Sequence, residues 1–372
     1  VLGLFSMFSN TTGSNNTAIG RSALENNTTA SNNTAVGYQA AYTNTTGNFL
    51  TALGVQSLYL NTTGIRNVAL GYATLSSNTT ASYNTAVGML SLAANTTGAN
   101  NTALGNESLV NNTTASNNTA VGYQAGYSNT TGVSTTAIGK GALYAQTTAT
   151  NNTAVGTSAG VAITNGGQNT LIGASAGSAL TTGSYNTFIG MGSTGNNGSG
   201  ELITTGSKNT IIGGYNGNQG SLDIRTASNY IVLSDGDGNP RLYLNNNGSC
   251  VIPRVYVDTT ASSANVNVDS SGALSRSTSA LKYKQDIRDL EVIDISKFRP
   301  VRYKSKCEND NQTKDHFGVI ADEVAAAGIE ELVTRGADGE VEGFQYERLT
   351  VVLLKKLQTL DAEFKAYVAT HP

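Results

Sequence analysis

The sequence is short of the features that usually organise a globular protein. Two cysteines stand far apart, Cys250 and Cys307, so no disulfide framework is expected, and free thiols made in a reducing compartment fit better. There is no run of 18 apolar residues, so no membrane-spanning helix and no membrane insertion are expected. No basic-then-apolar leader opens the chain, and a start at Val1 rather than Met points to a piece of a longer protein. No aspartate precedes Asp223, which removes a calcium-binding β-roll with its Asp-rich turns. The net charge of −3 argues against nucleic acid as a partner. Charge is also scarce where the chain is longest. Residues 1–200 carry only Arg21, Glu25, Arg66, Glu107 and Lys140, whereas residues 279–372 carry 31 of the 47 charged side chains. That contrast separates an uncharged, small-residue part from an ordinary globular part.

What the first part does have is a 17-residue beat. The glycine closing an Asn-Thr-Ala-Val-Gly-like pentapeptide recurs at Gly20, Gly37, Gly54, Gly71, Gly88, Gly105, Gly122, Gly139, Gly156, Gly173 and Gly190. A second mark keeps the same step from Gly13 and Ala30 to Gly183, mostly inside Asn-Thr-Thr-Gly or Asn-Thr-Thr-Ala. Such register is expected of a solenoid, where each unit stacks on a copy of itself. β-branched residues in period-two alternation predict short strands at Ala18-Ile19 and its copies, and Gly and Asn supply the turns. Each repeat then reads as one coil with two short strands and two turns. At roughly 4.8 Å per coil, about twelve coils give a rod near 55 Å long.

Ala and Val are the expected inward residues, which leaves each coil little apolar bulk to bury. Several copies packed side by side, three around an axis, would supply the missing burial. Repeated Asn and Thr are expected to stack as hydrogen-bonded ladders. The Asn-Thr-Thr sequons read as part of this repeat rather than as glycosylation sites. The pattern resembles the head repeats of trimeric autotransporter adhesins, which implies a trimeric left-handed β-roll; similar repeats occur in phage tail fibres.

The beat slips after Gly190: the next pentapeptide, Asn209 to Gly213, ends 23 residues later. A β-hairpin follows, with strands at Asn229–Leu233 and Arg241–Leu244 around a turn from Asp235 to Pro240. Asp235, Asp237 and Asn239 imitate an EF-hand opening, but Pro240 and Asn246 stand where glycine and the bidentate Glu belong, so a plain turn is read and no metal site. A second strand pair is expected within Val251 to Val257, then an extended Ser/Thr/Asn-rich stretch to residue 278 that a protease could engage. The expected domains are 1–215, a repeat β-roll; 216–278, a hairpin transition and linker; and 279–372, a small α+β module ending in a helix.

The last module carries Ser279-Ala280-Leu281-Lys282-Tyr283-Lys284, then His316-Phe317-Gly318-Val319-Ile320-Ala321-Asp322-Glu323, then Gly339, Tyr346 and a terminal helix. This order resembles the endosialidase-type intramolecular chaperone, a self-cleaving module at the end of many phage tail spikes and fibres. The resemblance implies cleavage between Thr278 and Ser279. Ser279 would attack the carbonyl carbon of Thr278 and form an ester that water hydrolyses, with Lys284 as general base. Serine needs a neighbour to take its proton, and lysine can do so only when burial lowers its pKa. His316 matches a histidine associated with processing, as base or as orienter. Many relatives have an acidic residue after the serine, where this chain has Ala280. Ser277 and Ser275 are alternative nucleophiles and Lys282 an alternative base.

In the terminal helix Leu353, Leu357, Leu360, Phe364 and Tyr367 follow a coiled-coil spacing that Tyr346 and Thr350 continue backwards. A helix packed on its own domain is the other reading. The sequence is therefore read as a homotrimeric phage tail fibre or spike that attaches to a host cell-surface receptor, a glycan or outer-membrane component. It would be made in the bacterial cytoplasm and reside in the virion tail. The module would act as a single-turnover serine auto-endopeptidase, without a cofactor. A bacterial surface adhesin is the alternative, and it would need the alternating strands of a membrane barrel. A polysaccharide-cleaving spike would need paired carboxylates, and residues 1–200 offer only Glu25 and Glu107.

Overall fold

The computed structural model describes residues 2–191, 198–253, 266–268, 274–276, 287–306, 312–336 and 339–371. The chain divides into two compact units, Val1–Thr259 and Thr260–Pro372. Among the described residues no helix is long and apolar enough to cross a membrane.

The first unit is a β-solenoid of 17-residue turns. A three-residue strand recurs at each beat, from Thr17–Ile19, Thr34–Val36 and Thr51–Leu53 to Thr187–Ile189, followed by Thr210–Ile212 and Ile231–Ser234. Neighbours pair in parallel and in register, Thr17 with Thr34, Ala18 with Ala35 and Ile19 with Val36. Where the beat slips the ladder continues: Thr187 pairs with Thr210, and Thr210 with Ile231. The longer coils take up their extra residues outside the sheet. Ile231–Ser234 also pairs antiparallel with Pro240–Leu244, which forms the expected hairpin, and Cys250–Val251 returns along its other side. In the turn the Asp235 carboxylate accepts from the Asn239 amide at 2.8 Å and from Arg241 Nε at 2.9 Å, so its acceptors are used within the turn.

The invariant glycine is required twice over. Gly105 has φ +137°, and a Cβ there would come 2.5 Å from the Gly122 carbonyl oxygen of the next coil. An L-residue is disfavoured by that dihedral and has no room at that approach.

Each coil has one strand rather than the two expected. The opposite leg is a run of turns in which alternate residues are left-handed, such as Ser22 at φ 59° and Leu24 at φ 49°. Alternation sends successive amides to opposite neighbours. The Ser22 amide donates back to Leu4 O at 2.8 Å, and the Leu24 amide donates forward to Ala40 O at 3.0 Å. Left-handed geometry costs a leucine about 1–2 kcal/mol, and complete burial of Leu24 offsets it.

The inward strand residue is Ala alone, not Ala and Val. Ala18, Ala35, Ala52 and their successors to Ala154 are buried, while Ile19, Leu53, Leu104 and Ile138 are 37–46% exposed. The middle residue of a three-residue strand faces one way and its neighbours the other. Small Ala faces Leu of the opposite leg inside, and the β-branched and Leu residues form an apolar column outside. Towards the end of the solenoid the bulk changes sides. Leu171 and Phe188 replace Ala, and Gly160, Gly177 and Gly200 appear opposite, where a Cβ would come 2.5–3.2 Å from those rings and methyls. Core volume is thereby kept.

Asparagine ladders are present, and they lie inside the coil. Asn78 Nδ2 donates to Asn61 Oδ1 at 2.8 Å and to Ala81 O at 3.0 Å, while its Oδ1 accepts from Asn95 Nδ2 at 3.0 Å. A second column runs through Asn67, Asn84 and Asn101, each carboxamide oxygen accepting the next backbone amide at 2.9 Å. Gln146 closes the first ladder against Ala149 O at 3.1 Å, after which the column turns apolar at Ile163 and Leu180.

The second unit is a small α+β fold. Val266–Val268 pairs antiparallel with Leu274–Arg276, Pro300–Lys304 with Asp315–Val319, and Val333–Arg335 with Val341–Phe344. Helix α1 spans Ala321–Ala326 and helix α2 spans Tyr346–Thr370. The core gathers Val324, Ile329, Leu332, Val333 and Val352, with Phe298 and Phe344 against it.

An interior Asn ladder makes each rung depend on its neighbours. Asn78→Ala leaves the buried Asn61 Oδ1 without its donor, while the Ala81 carbonyl keeps Asn67 Nδ2 and Asn95 Nδ2 keeps Gly98 O, so a loss of about 2 kcal/mol is expected. Urea unfolding of the full chain measures it. The outward Thr119→Ala exchange is expected to stay within about 1 kcal/mol, and equal losses for the two variants would refute the ladder's role.

Candidate functional site

The sequence places the chemistry of the second unit in two segments, and they differ in what can be said of them. Thr278, Ser279 and Lys284, with Ser277 and Lys282, lie outside the described residues. Ser275 sits in the strand Leu274–Arg276, paired across from Asn267. His316 is in the strand Asp315–Val319, directly opposite Tyr303 of Pro300–Lys304.

Period-two alternation sets the surroundings of His316. Its neighbours Asp315 and Phe317 point to the exposed face, where Arg302 reaches Asp315 at 3.5 Å and lies over the Phe317 ring at 5.0 Å. His316 itself turns to the other side and is half-buried. Its ring stacks on Tyr303, with centroids 5.6 Å apart and planes 25° from parallel. The Nε2 atom is buried and has no hydrogen-bond partner among the described residues. A buried ring nitrogen left without a partner costs about 1–3 kcal/mol.

Tyr346, the first residue of α2, completes the wall. Its hydroxyl accepts from the Val319 amide at 3.0 Å, and its ring meets Phe344 edge-on at 4.8 Å. The expectation that Tyr346 continues the coiled-coil seam is corrected here: the side chain is spent on its own domain, because the end of the His316 strand needs an acceptor. Gly318 leaves the space, since a Cβ there would come 2.2 Å from the Tyr346 hydroxyl and 3.3 Å from the Tyr303 ring. Tyr303, Val319, Asp322, Phe344 and Tyr346 line a shallow hollow of about 290 Å³. Sequence reasoning selected His316 and missed the roles of Tyr303 and the Tyr346 hydroxyl. A strand pattern around Val301 and Tyr303 was the available signal.

Exposed ion pairs lie on the surface of this unit. The Arg299 guanidinium beside Glu323 keeps that carboxyl below the usual carboxylate range, and Arg335 does the same for Glu330. Exposed pairs of this kind contribute little stability. Helix α2 packs on the domain near its start, through Tyr346, Leu349 and Val352, and Arg348 Nη1 donates to Glu331 O at 3.0 Å. Leu353, Leu357, Leu360, Phe364 and Tyr367 are 41–64% exposed among the described residues.

Residues 279–334 match the family model described as the chaperone of endosialidase, and the match begins at Ser279 itself. That match implies self-cleaving chaperone activity for the module. No curated protein and no solved structure matches the chain.

The tight fit at Gly318 gives a direct test of the Tyr346 wall. Gly318→Ala is expected to displace the hydroxyl, lower the module's stability by about 1–3 kcal/mol and expose the Val319 amide to hydrogen exchange. Unchanged protection of that amide would show that Tyr346 is not its acceptor.

Proposed function

We propose that the chain forms a homotrimeric phage tail fibre or spike. Its C-terminal module aligns three copies and then cuts itself away between Thr278 and Ser279. The observation that carries this reading is the family match starting at Ser279, downstream of a 17-residue β-solenoid.

The chemistry proceeds within one chain. Ser279 Oγ attacks the Thr278 carbonyl carbon while Lys284, which must be neutral to act, takes the hydroxyl proton. The Thr278–Ser279 C–N bond breaks, and the proton passes to the departing Ser279 amine. The resulting ester is hydrolysed by water, which regenerates the serine hydroxyl and leaves Thr278 with a carboxylate. His316 serves this step as base or orienter. Its unpaired Nε2 is consistent with that role.

Two exposed apolar features support assembly. One is the outward column of Ile19, Leu53, Leu104, Ile138 and Ile172 along the sheet. The other is the seam of α2, Leu353 to Tyr367, which stays 41–64% exposed among the described residues. A parallel bundle of three chains covers both. Attachment to a host cell-surface receptor follows from the tail-fibre reading, and the product of cleavage is a solenoid held by interfaces that formed while the module was present. Unfolding is then slow because the route by which the trimer formed is gone.

Mass spectrometry of the purified full chain tests the cut. Two fragments meeting at Thr278–Ser279 are expected for the wild type, and one intact chain for Ser279→Ala and for Lys284→Ala. Cleavage persisting in Ser279→Ala, or an intact wild type in a folded trimer, would overturn the assignment. Assembly is tested separately by sedimentation. The double change Leu104→Asp with Ile138→Asp puts six unpaired carboxylates into the proposed seam and is expected to give monomers; trimers of undiminished stability would remove that column from the interface.

A further inference from the structure

One outward column of the solenoid departs from its own rule. The residue two before each strand is left-handed from coil to coil: Asn15, Asn32, Phe49, Arg66, Tyr83, Asn100 and Asn117, then Ser134, Asn151, Gln168, Tyr185 and Lys208, have φ between 55° and 63°, and Phe49, Arg66 and Tyr83 are three bulky side chains in succession among them. Asparagine tolerates this geometry best among residues with a side chain, and bulky residues are disfavoured there. Inside the coil, burial compensates a left-handed leucine. Here nothing does, because Phe49 is 52% exposed and Tyr83 49%. Three successive coils therefore carry unfavourable residues on the surface without gaining a core.

Those three side chains form a single platform. The Arg66 guanidinium carbon lies 5.6 Å from the Phe49 ring centre and 5.5 Å from the Tyr83 ring centre, and Nη1 donates to the Tyr83 hydroxyl at 2.8 Å. The cation is thus held against both rings at an exposed position. It has no carboxylate partner among the described residues, and residues 1–200 contain only Glu25 and Glu107 as acids. A second copy aligned in register offers no acid at this level either. The platform is built to take an anion from outside the fibre.

We infer that Phe49, Arg66 and Tyr83 form a binding site for a uronate-bearing saccharide, an acidic polysaccharide of the host surface. The two rings, two coils and about 10 Å apart, flank the cation and offer exposed aromatic surface to the C–H faces of sugar rings. Between them the guanidinium forks a uronate carboxylate, the geometry for which arginine is suited. This rests on the attachment reading above and names the ligand class it would need. Neutral sugars lack the carboxylate, and an acidic peptide would use only the cation and leave the ring faces uncovered.

The solenoid supplies its own conservative replacement, since asparagine already occupies the column at Asn32 and Asn100. The full chain and its Phe49→Asn/Arg66→Asn/Tyr83→Asn variant are compared by ligand-observed saturation-transfer NMR. The probes are a galacturonate hexamer, a hexasaccharide alternating glucuronate with N-acetylglucosamine, and neutral maltohexaose. The wild type is expected to bind at least one uronate probe with a millimolar or tighter constant, and maltohexaose at least tenfold more weakly. The triple variant is expected to lose uronate binding at least tenfold while keeping its thermal midpoint, its trimer and its cleavage products. Binding of neither uronate probe, equal binding by the triple variant, or equal binding of maltohexaose would each overturn the site. Loss of the trimer in the variant would do so too, by making the platform a subunit contact. Because processing and assembly are read in the same samples, failure of the saccharide site is distinguishable from failure of the fibre reading.

Discussion

The spacing between coils governs this protein. One backbone lies about 4.8 Å above the next, and every amide that does not close a turn donates along that direction. At this distance a side chain in one coil meets the same position of the next coil before anything else. Each column is therefore a single design problem solved many times. The glycine column is glycine because a Cβ would strike the carbonyl above it, as at Gly105. The Asn columns succeed because a carboxamide is both donor and acceptor, and so can hand one bond up and receive one from below. A serine or leucine in the middle of the run would break the chain of donors. The run ends only where Gln146 supplies a longer arm and the column becomes apolar.

A coil solved this way has a small interior. Ala faces Leu across it, and the polar ladders take much of the remaining inner surface. The apolar residues that could have enlarged the core stand outside, in the third position of each strand. The same economy holds in the second unit, where α2 gives Leu349 and Val352 to its own core and leaves the heptad positions bare. Two units of opposite composition thus share one property: an apolar surface left exposed among the described residues. Three-chain assembly is the common solution proposed for both.

The parts of the fold legible from sequence were those fixed by backbone chemistry. Glycine and asparagine at fixed offsets announce turns and close approach, so the 17-residue coil and the hairpin after it could be read directly. The second leg was read as a strand because serine, glutamine and leucine give no sign of a left-handed dihedral; that conformation comes from the need to alternate amides up and down the stack. Val was placed inside because Thr-Ala-Val in isolation does not say which face is the core, and only the facing Leu decides it. In the second unit the motif around His316 pointed to a residue that does lie in an unusual setting. Its partner Tyr303 is set by hairpin register, and the Tyr346 hydroxyl by a helix start 27 residues beyond Val319. Neither follows from local pattern. Ser279 and Lys284 were selected from the order of motifs, and their geometry lies outside the described residues.

Uniform coils raise a problem that composition alone does not solve. Shifting one chain by a whole coil against its neighbours restores every column from Thr17 to Val155 to an equivalent one, so the outward seam cannot tell the two alignments apart. The irregular coils can. Thr187 pairs with Thr210 and Thr210 with Ile231, offsets that match no other coil, and Leu171, Phe188, Ile211 and Val232 replace the Ala column there. A slipped chain would set a long coil beside a short one and misalign the seam from that point on. These coils are also the ones nearest in sequence to the second unit. Alignment begun at the C-terminal end would meet the one part of the solenoid able to reject a wrong register before it reached the part that cannot. A free-standing solenoid of identical coils would have no such check, which is the physical case for placing a chaperone at this end of the chain.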